Sequence, residues 1–144
     1  LTADLTAINQ YFVHAKMCSN WGYEQLHHKV RERSIDEMKD ADELISHILY
    51  LEGVPNVQRM NTVHVGETVP EQLKLDLKAE QEMLTLLSDG VVHCTKVGDF
   101  TTRHMFEDMA KDVDEHIDWI ETQIETIKQV GLENYLAEQI HKES

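Results

Sequence analysis

Residues that break helices are scarce in this chain, and they fall at only a few places. The 144 residues include six glycines and two prolines. Between those positions apolar residues recur every three or four residues, which is the period of an amphipathic helix. A chain of this kind buries its apolar stripes by packing helix against helix. Helix is predicted over five stretches: residues 1–20, 23–51, 69–97, 100–130 and 132–140.

The connection between the second and third predicted helices is the longest in the chain. Residues 53–68 show no helical period and are long enough to run the length of a bundle. Thr68 and Glu71 have the spacing of a capping box at the start of the third helix, and Asp99 can cap the fourth. One long crossover between short links predicts an all-α four-helix bundle with a short fifth helix, the ferritin-like arrangement. Residues 1–144 are predicted to form this single domain.

The chain is strongly acidic. Its 27 Asp and Glu residues outnumber its 13 Lys and Arg residues, so the formal net charge is −14. This charge argues against a nucleic-acid partner and favours cations, although a role in solubility alone stays open. Cys18 and Cys94 have no CxxC spacing and are interpreted as unpaired thiols of a cytoplasmic protein. No run of 18 apolar residues occurs, so no membrane span is predicted.

Several polar residues are predicted to face the inside of the bundle. Glu80 and His116 each interrupt an otherwise apolar stripe, while Glu37 and Asp40 are three residues apart and share a helix face. Asp4 lies beside the apolar stripe of the first helix. Because buried carboxylates need a paired charge or a metal, this set predicts a site for iron, manganese or zinc. A solvated Asp4 and a surface Asp40 paired with a lysine remain alternatives.

Met38 follows Glu37 directly and therefore lies about 100° further round the helix. This geometry predicts two different sites on the two sides of one helix. The predicted apolar stripe of the first helix consists of Leu5, Ile8, Phe12 and Ala15.

Several segments of the chain resemble bacterioferritin. These are AINQYF at 7–12, SIDEMK at 34–39, LEGVPN at 51–56, HIDW at 116–119 and GLENYL at 131–136. The resemblance runs through the whole chain without needing a gap, and by this comparison the first helix lacks two to three N-terminal turns. It implies a 24-subunit iron-storage cage with haem shared across each two-fold dimer interface.

The resemblance also implies roles for particular residues. Met38 matches the axial haem ligand, one from each of two subunits, and a thioether sulfur suits haem iron. An interface hydrophobe is the alternative role for this methionine. Tyr11 matches a family position near the metal site, where a buried aromatic residue needs no special role. The residues predicted to flank the haem are Ile8, Asn9, Phe12 and Lys39.

The di-iron motif of the family is incomplete here. The family takes Glu from the first and third helices and Glu-x-x-His from the second and fourth. Glu37, Glu80 and His116 keep the family identity, whereas Asp4, Asp40 and Val113 depart from it. Valine cannot ligate, and aspartate is shorter than glutamate by roughly 1.5 Å, against a tolerance of about 0.2 Å in ligand distances. An impaired ferroxidase centre with one weakly bound metal ion is therefore predicted.

Three functions are weighed against one another. The first is a haem-carrying iron-storage subunit whose own ferroxidase centre is degraded, alone or mixed with a ferroxidase-competent subunit and served by a ferredoxin-type electron donor. The second is an active Fe(II):O2 ferroxidase with an altered carboxylate and histidine site. The third is a structural bundle with no metal role.

Overall fold

The computed structural model describes residues 1–141, so the last three residues of the predicted 1–144 domain lie outside the described part. The predicted bundle with one long crossover and a short fifth helix is confirmed. Its helices are α1 (Thr2–Asn20), α2 (Glu24–Tyr50), α3 (Val69–Val97), α4 (Phe100–Val130) and α5 (Leu132–Gln139). α1 packs mainly against α2, and α3 packs mainly against α4. Within the described range no helix has both the length and the hydropathy needed to cross a bilayer.

The predicted caps set the starts of α3 and α4. Thr68 Oγ1 accepts a hydrogen bond from the backbone N–H of Glu71 at 3.3 Å. The Glu71 carboxylate in turn accepts from the backbone N–H of Glu67 at 2.8 Å, one residue earlier than in a standard capping box. Asp99 Oδ1 accepts from the backbone N–H of Thr102 at 3.1 Å. These bonds satisfy amides that would have no partner within the helix.

The buried face of α1 differs from the predicted stripe. The helix turns Ala7, Tyr11, Ala15 and Cys18 inward. Leu5 and Ile8 are only partly buried, and the side chain of Phe12 is 52% exposed. α1 carries apolar residues on two faces, and helical period alone cannot tell which face packs against the core and which is left free.

The crossover is held against α1 by side chains rather than by strand pairing. Three polar residues of α1, spaced four positions apart, form a row that accepts hydrogen bonds from backbone amides of the crossover. The bonds run from the Asn61 amide to Thr6 Oγ1 at 2.9 Å, from the His64 amide to Gln10 Oε1 at 3.2 Å and from the Gly66 amide to His14 Nε2 at 3.0 Å. This row fixes the path of the crossover over the bundle.

Candidate metal centre

All four long helices contribute predicted ligand residues to one region of the bundle. α1 supplies Asp4, α2 supplies Glu37 and Asp40, α3 supplies Glu80 and α4 supplies His116. Asp4 is buried rather than solvated, and both glutamates are only 1% exposed. Asp40 and His116 are partly buried. The helices therefore bring all five predicted residues to the interior, and their metal-binding role stays a prediction.

These residues form two groups. One oxygen from each of Asp4, Glu37 and Asp40 lies within 4.8 Å of the others, a spacing that could hold a metal ion. In the second group His116 Nε2 lies 4.0 Å from Glu80 Oε1. The two groups are separated by a charged side chain that was not among the predicted site residues.

That side chain is Arg33 of α2, which is only 5% exposed. Its Nε donates to Glu80 Oε1 at 2.9 Å and its Nη2 donates to Glu80 Oε2 at 3.0 Å, a two-pronged pairing of guanidinium and carboxylate. Nη2 also lies 2.6 Å from Glu37 Oε1. The Tyr11 hydroxyl donates to Glu80 Oε1 as well. Burial lowers the pKa of Arg33, but its bonds to Glu80 and the charge of Glu37 outweigh this and raise it overall.

Glu37 stands between the two groups. Arg33 Nη2 approaches one of its oxygens closely, but within residues 1–141 neither Glu37 oxygen has a donor in good hydrogen-bond alignment, so the contact is one of charge. Burial raises the pKa of Glu37 well above its usual range; Arg33 opposes this shift, and the neighbouring Asp4 adds to it. Glu37 is thus the acid of the centre that is least satisfied by the protein itself.

His116 is a neutral imidazole at ordinary pH. Burial, followed by the charges of Arg33 and Lys29, lowers its pKa to about 3. Its ring stacks on Trp119 with centroids 5.6 Å apart and meets Tyr11 edge-on at 5.9 Å. These aromatic contacts hold the ring so that Nε2 is directed towards Glu80.

The residues present do not fit a centre that binds two metal ions. Val113, which stands where the resemblance expects a glutamate, is 1% exposed and packs in an apolar cluster with Met109 and Ile117. Both oxygens of Glu80 are occupied by Arg33. Among the described residues the site therefore lacks the carboxylate that a second ion would need, and hydrogen bonds already occupy three of the four lone-pair sites of Glu80.

A cleft of about 410 Å³ opens beside the centre and gives a route to it. Arg33, Asp40 and His116 all reach its wall. Its remaining acidic lining consists of Glu32, Asp36, Asp112 and Glu115. The wall has five acidic residues against three basic ones, Lys29, Arg33 and Lys39, so its net negative charge favours cations.

Asp40 provides a test of the electrostatics of this centre. Burial, with a further contribution from Asp4, raises the pKa of Asp40 to about 6. Above pH 6 the ionised carboxylate destabilises the folded state, and below about pH 4 this cost vanishes because both the folded and the unfolded state bind the proton. In metal-free buffer Asp40→Asn should thus be more stable than the wild type by about 1 kcal/mol above pH 6, a value reduced by solvent screening. The gain should disappear towards pH 4 in thermal melts.

Asp42→Asn is the matched control for that experiment, because Asp42 is exposed on the same helix. Because this side chain stays in water, its replacement should change stability by less than about 0.5 kcal/mol. A wild type more stable than Asp40→Asn at pH 8 would contradict the prediction.

Met38 lies on a different side of α2 from Glu37. Its side chain is 44% exposed, whereas that of Glu37 is buried. Ser34, one turn earlier on α2, donates through Oγ to the backbone oxygen of Ile8 at 3.0 Å and so fixes α1 beside this surface. Of the other predicted flanking residues, Asn9 and Phe12 are exposed on α1, and Lys39 lines the cleft together with Asp36. The haem-binding roles of all these residues stay predictions.

A four-helix bundle with a long crossover and carboxylates directed inward from several helices defines a ferritin-like protein, and residues 1–130 match the family of ferritin-like domains. The chain belongs to the bacterioferritin family. Bacterioferritin BfrA of Mycobacterium tuberculosis is 44% identical over 138 residues, which cover 96% of this chain and 87% of that protein. The bacterioferritins of Brucella melitensis and Rhodobacter capsulatus are each 38% identical over 135 residues, which cover 94% of this chain and 84% of those proteins.

Proposed function

We propose that this chain is an iron-storage subunit that assembles into a 24-subunit cage and binds haem between paired subunits. Its own ferroxidase centre is impaired. The observation that carries the storage proposal is the meeting of three carboxylates, from Asp4, Glu37 and Asp40, inside an acidic bundle. Carboxylates that project inward from several helices of a bundle hold iron in ferritin-like carboxylate proteins. Stored iron is the cargo here, held by the assembly.

Uncovered apolar residues support self-assembly. At the end of α2 and the start of the crossover, Leu49, Tyr50, Leu51 and Val54 are between 57% and 91% exposed. Large apolar side chains exposed so close together in one segment are typical of an interface with another subunit.

Light scattering of the purified protein should give a particle of about 24 times the 16.7 kDa chain. A monomer at micromolar concentration would contradict the cage.

Haem binding is proposed for the exposed Met38 surface. A thioether on a helix surface can meet its own copy across a two-fold axis, which gives one sulfur ligand from each subunit. Bound there, haem would supply electron transfer for the release of stored iron, with a ferredoxin-type protein as the donor. Ile8, Phe12 and Asn9 would form its surroundings.

Met38→Leu is expected to abolish haem binding and leave the cage intact. Leucine keeps the apolar volume but removes the sulfur, so the Soret absorbance per subunit should fall to the background of free haem. The measurement is haem titration followed by absorbance, with light scattering to confirm assembly. Met17→Leu is the control, because it makes the same change at a partly buried methionine that is not among the predicted haem surroundings. Full haem binding in Met38→Leu, with the cage intact, would refute the assignment.

The impaired ferroxidase centre is supported by the Arg33 and Glu80 pairing and by Val113. The alternative function, an active Fe(II):O2 ferroxidase, requires Fe(II) to bind among residues that are already paired with one another. Stopped-flow oxidation of Fe(II) distinguishes the two: a storage subunit with an impaired centre should be no faster than its Glu37→Ala/Glu80→Ala variant. Co-expression with a ferroxidase-competent bacterioferritin tests whether mixed cages form.

A further inference from the structure

We infer that the guanidinium of Arg33 acts as a built-in cation that replaces a metal ion between Glu37 and Glu80. The half of the centre around Glu80 and His116 therefore takes no metal, and any ion that enters is confined to the group of Asp4, Glu37 and Asp40. This inference deepens the proposal of an impaired centre, but it requires neither the cage nor haem.

The position of Arg33 is the first argument that it replaces a metal ion. Its guanidinium is buried and bonded on one edge to both oxygens of Glu80, while Nη2 also touches Glu37. Planar guanidinium groups match carboxylates in this two-pronged way, which fixes their orientation as well as their charge. Arg33 thus links α2 to α3 across the interior, as a shared metal ion would link them.

The second argument is that hydrogen-bond donors and a metal ion would compete for the oxygen lone pairs of Glu80. Glu80 Oε1 accepts from both Tyr11 and Arg33, and Glu80 Oε2 accepts from Arg33. Three of the four lone-pair sites of Glu80 are thus taken, and a metal ion that bound both oxygens would displace Arg33 and leave its guanidinium buried without its main partner. Like charges in a poorly solvated interior repel strongly, so the guanidinium also opposes a divalent ion next to it.

The balance of charge is the third argument. Asp4, Glu37, Asp40 and Glu80 bring four negative charges, which two divalent ions would neutralise. Arg33 supplies one positive charge permanently, and a single divalent ion at the other group would supply two more. Together these positive charges offset all but one of the four negative charges, so charge balance does not call for a second ion at the Glu80 half.

Cobalt(II) binding by the full chain tests this inference. Co(II) is titrated into the wild type, Glu80→Gln, Arg33→Ala, Arg33→Lys and the double variant Arg33→Ala/Glu80→Gln, with binding followed by visible absorbance. Glu80→Gln should leave the Co(II) stoichiometry of the wild type unchanged. Arg33→Ala should gain one Co(II) per chain, and the double variant should lose that gain. Arg33→Lys keeps the positive charge and should gain none.

The thermal melt gives a second reading of the same variants. Co(II) should raise the melting temperature of Arg33→Ala more than that of the wild type, because only the variant binds the additional ion. An Arg33→Ala protein that is folded by circular dichroism but binds no more Co(II) than the wild type overturns the inference.

A wild-type crystal soaked in Co(II) decides the matter even if Arg33→Ala does not fold. The anomalous map should show either no ion or one ion at the group of Asp4, Glu37 and Asp40, with Arg33 still bonded to Glu80. An ion bonded to Glu80 or His116 in the wild type overturns the inference. That result would leave the haem and assembly tests of the proposed function untouched, so the two failures are distinguishable.

Discussion

Replacing Asp76 with alanine is expected to lower the free energy of unfolding by about 2–5 kcal/mol, because it leaves two buried donors without an acceptor. Asp76 Oδ1 accepts from Gln10 Nε2 at 3.0 Å and from His14 Nδ1 at 2.9 Å, and all three side chains are buried. His14 is the Nδ1–H tautomer, since its Nε2 accepts from the Gly66 amide. For a chain of this size the melting temperature should fall by roughly 5–15 °C.

Asp76→Asn should cost much less than Asp76→Ala. Both hydrogen bonds end on Oδ1 of Asp76, and the amide oxygen of asparagine can accept the same two bonds. Asp89→Ala is the control, because Asp89 is exposed on the same helix. Thermal melts of the four proteins at one concentration give the comparison. Equal losses for Asp76→Asn and Asp76→Ala would show that the charge, rather than the acceptor, matters.

Hydrogen exchange should locate the damage in the crossover. Asp76 orients Gln10 and His14, which in turn hold the His64 and Gly66 amides. Exchange of these two amides should accelerate in Asp76→Ala. The Asn61 amide, which is held by Thr6 outside this network, should change much less.

The helices of this protein follow from local sequence signals, and the crossover does not. Breakers and caps such as Thr68 and Asp99 act on neighbouring amides, so they predict helix ends to within a few residues. The crossover is fixed by bonds between residues more than fifty positions apart, such as His64 with Gln10. Pairs of that kind have no signature in a single sequence.

The acidic residues of the centre could be predicted from the sequence, but the positive charge of Arg33 between them could not. Glu80 and His116 stand out because they interrupt apolar stripes, and the structure brings both into the interior. Arg33 lies four residues before Glu37, so an i,i+4 pair was visible in the sequence. On a charged helix such a pair is more often exposed. Here the Arg33 side chain points into the core because it pairs with Glu80, which is 47 residues away in the chain.

α1 shows that helical periodicity in a single sequence cannot distinguish an exposed apolar residue from a buried one. Its periodicity put Phe12 on the stripe, whereas the structure buries the neighbouring Tyr11 and leaves Phe12 half exposed. Both residues satisfy a helical period. The packing of α1 in the bundle selects the inner face, and Phe12 is left on the outside.

Combining Arg33→Ala, Asp40→His and Val113→Glu is expected to raise the rate of Fe(II) oxidation by at least 10–100-fold over the wild type. Val113→Glu and Asp40→His restore the two Glu-x-x-His motifs with Glu37 and His116, and Arg33→Ala frees Glu80. Substitution of residues that only support the metal ligands already alters affinity or activity by about 10–100-fold. Two of these three changes act on the ligands themselves, and the third removes Arg33, which is bonded to the ligand Glu80. The measurement is stopped-flow absorbance of Fe(II) and O2 on the assembled protein.

The order in which the substitutions take effect separates the two causes of the proposed impairment. Asp40→His/Val113→Glu with Arg33 retained should gain little, because the guanidinium still occupies both oxygens of Glu80. Adding Glu80→Gln to the triple variant should return the rate to the wild-type level. A double variant as fast as the triple variant would mean that the missing ligands alone impair the centre. A wild type already faster than its Glu80→Ala variant would mean that Fe(II) reaches Glu80 by displacing Arg33 during turnover, so that the salt bridge gates the site instead of closing it.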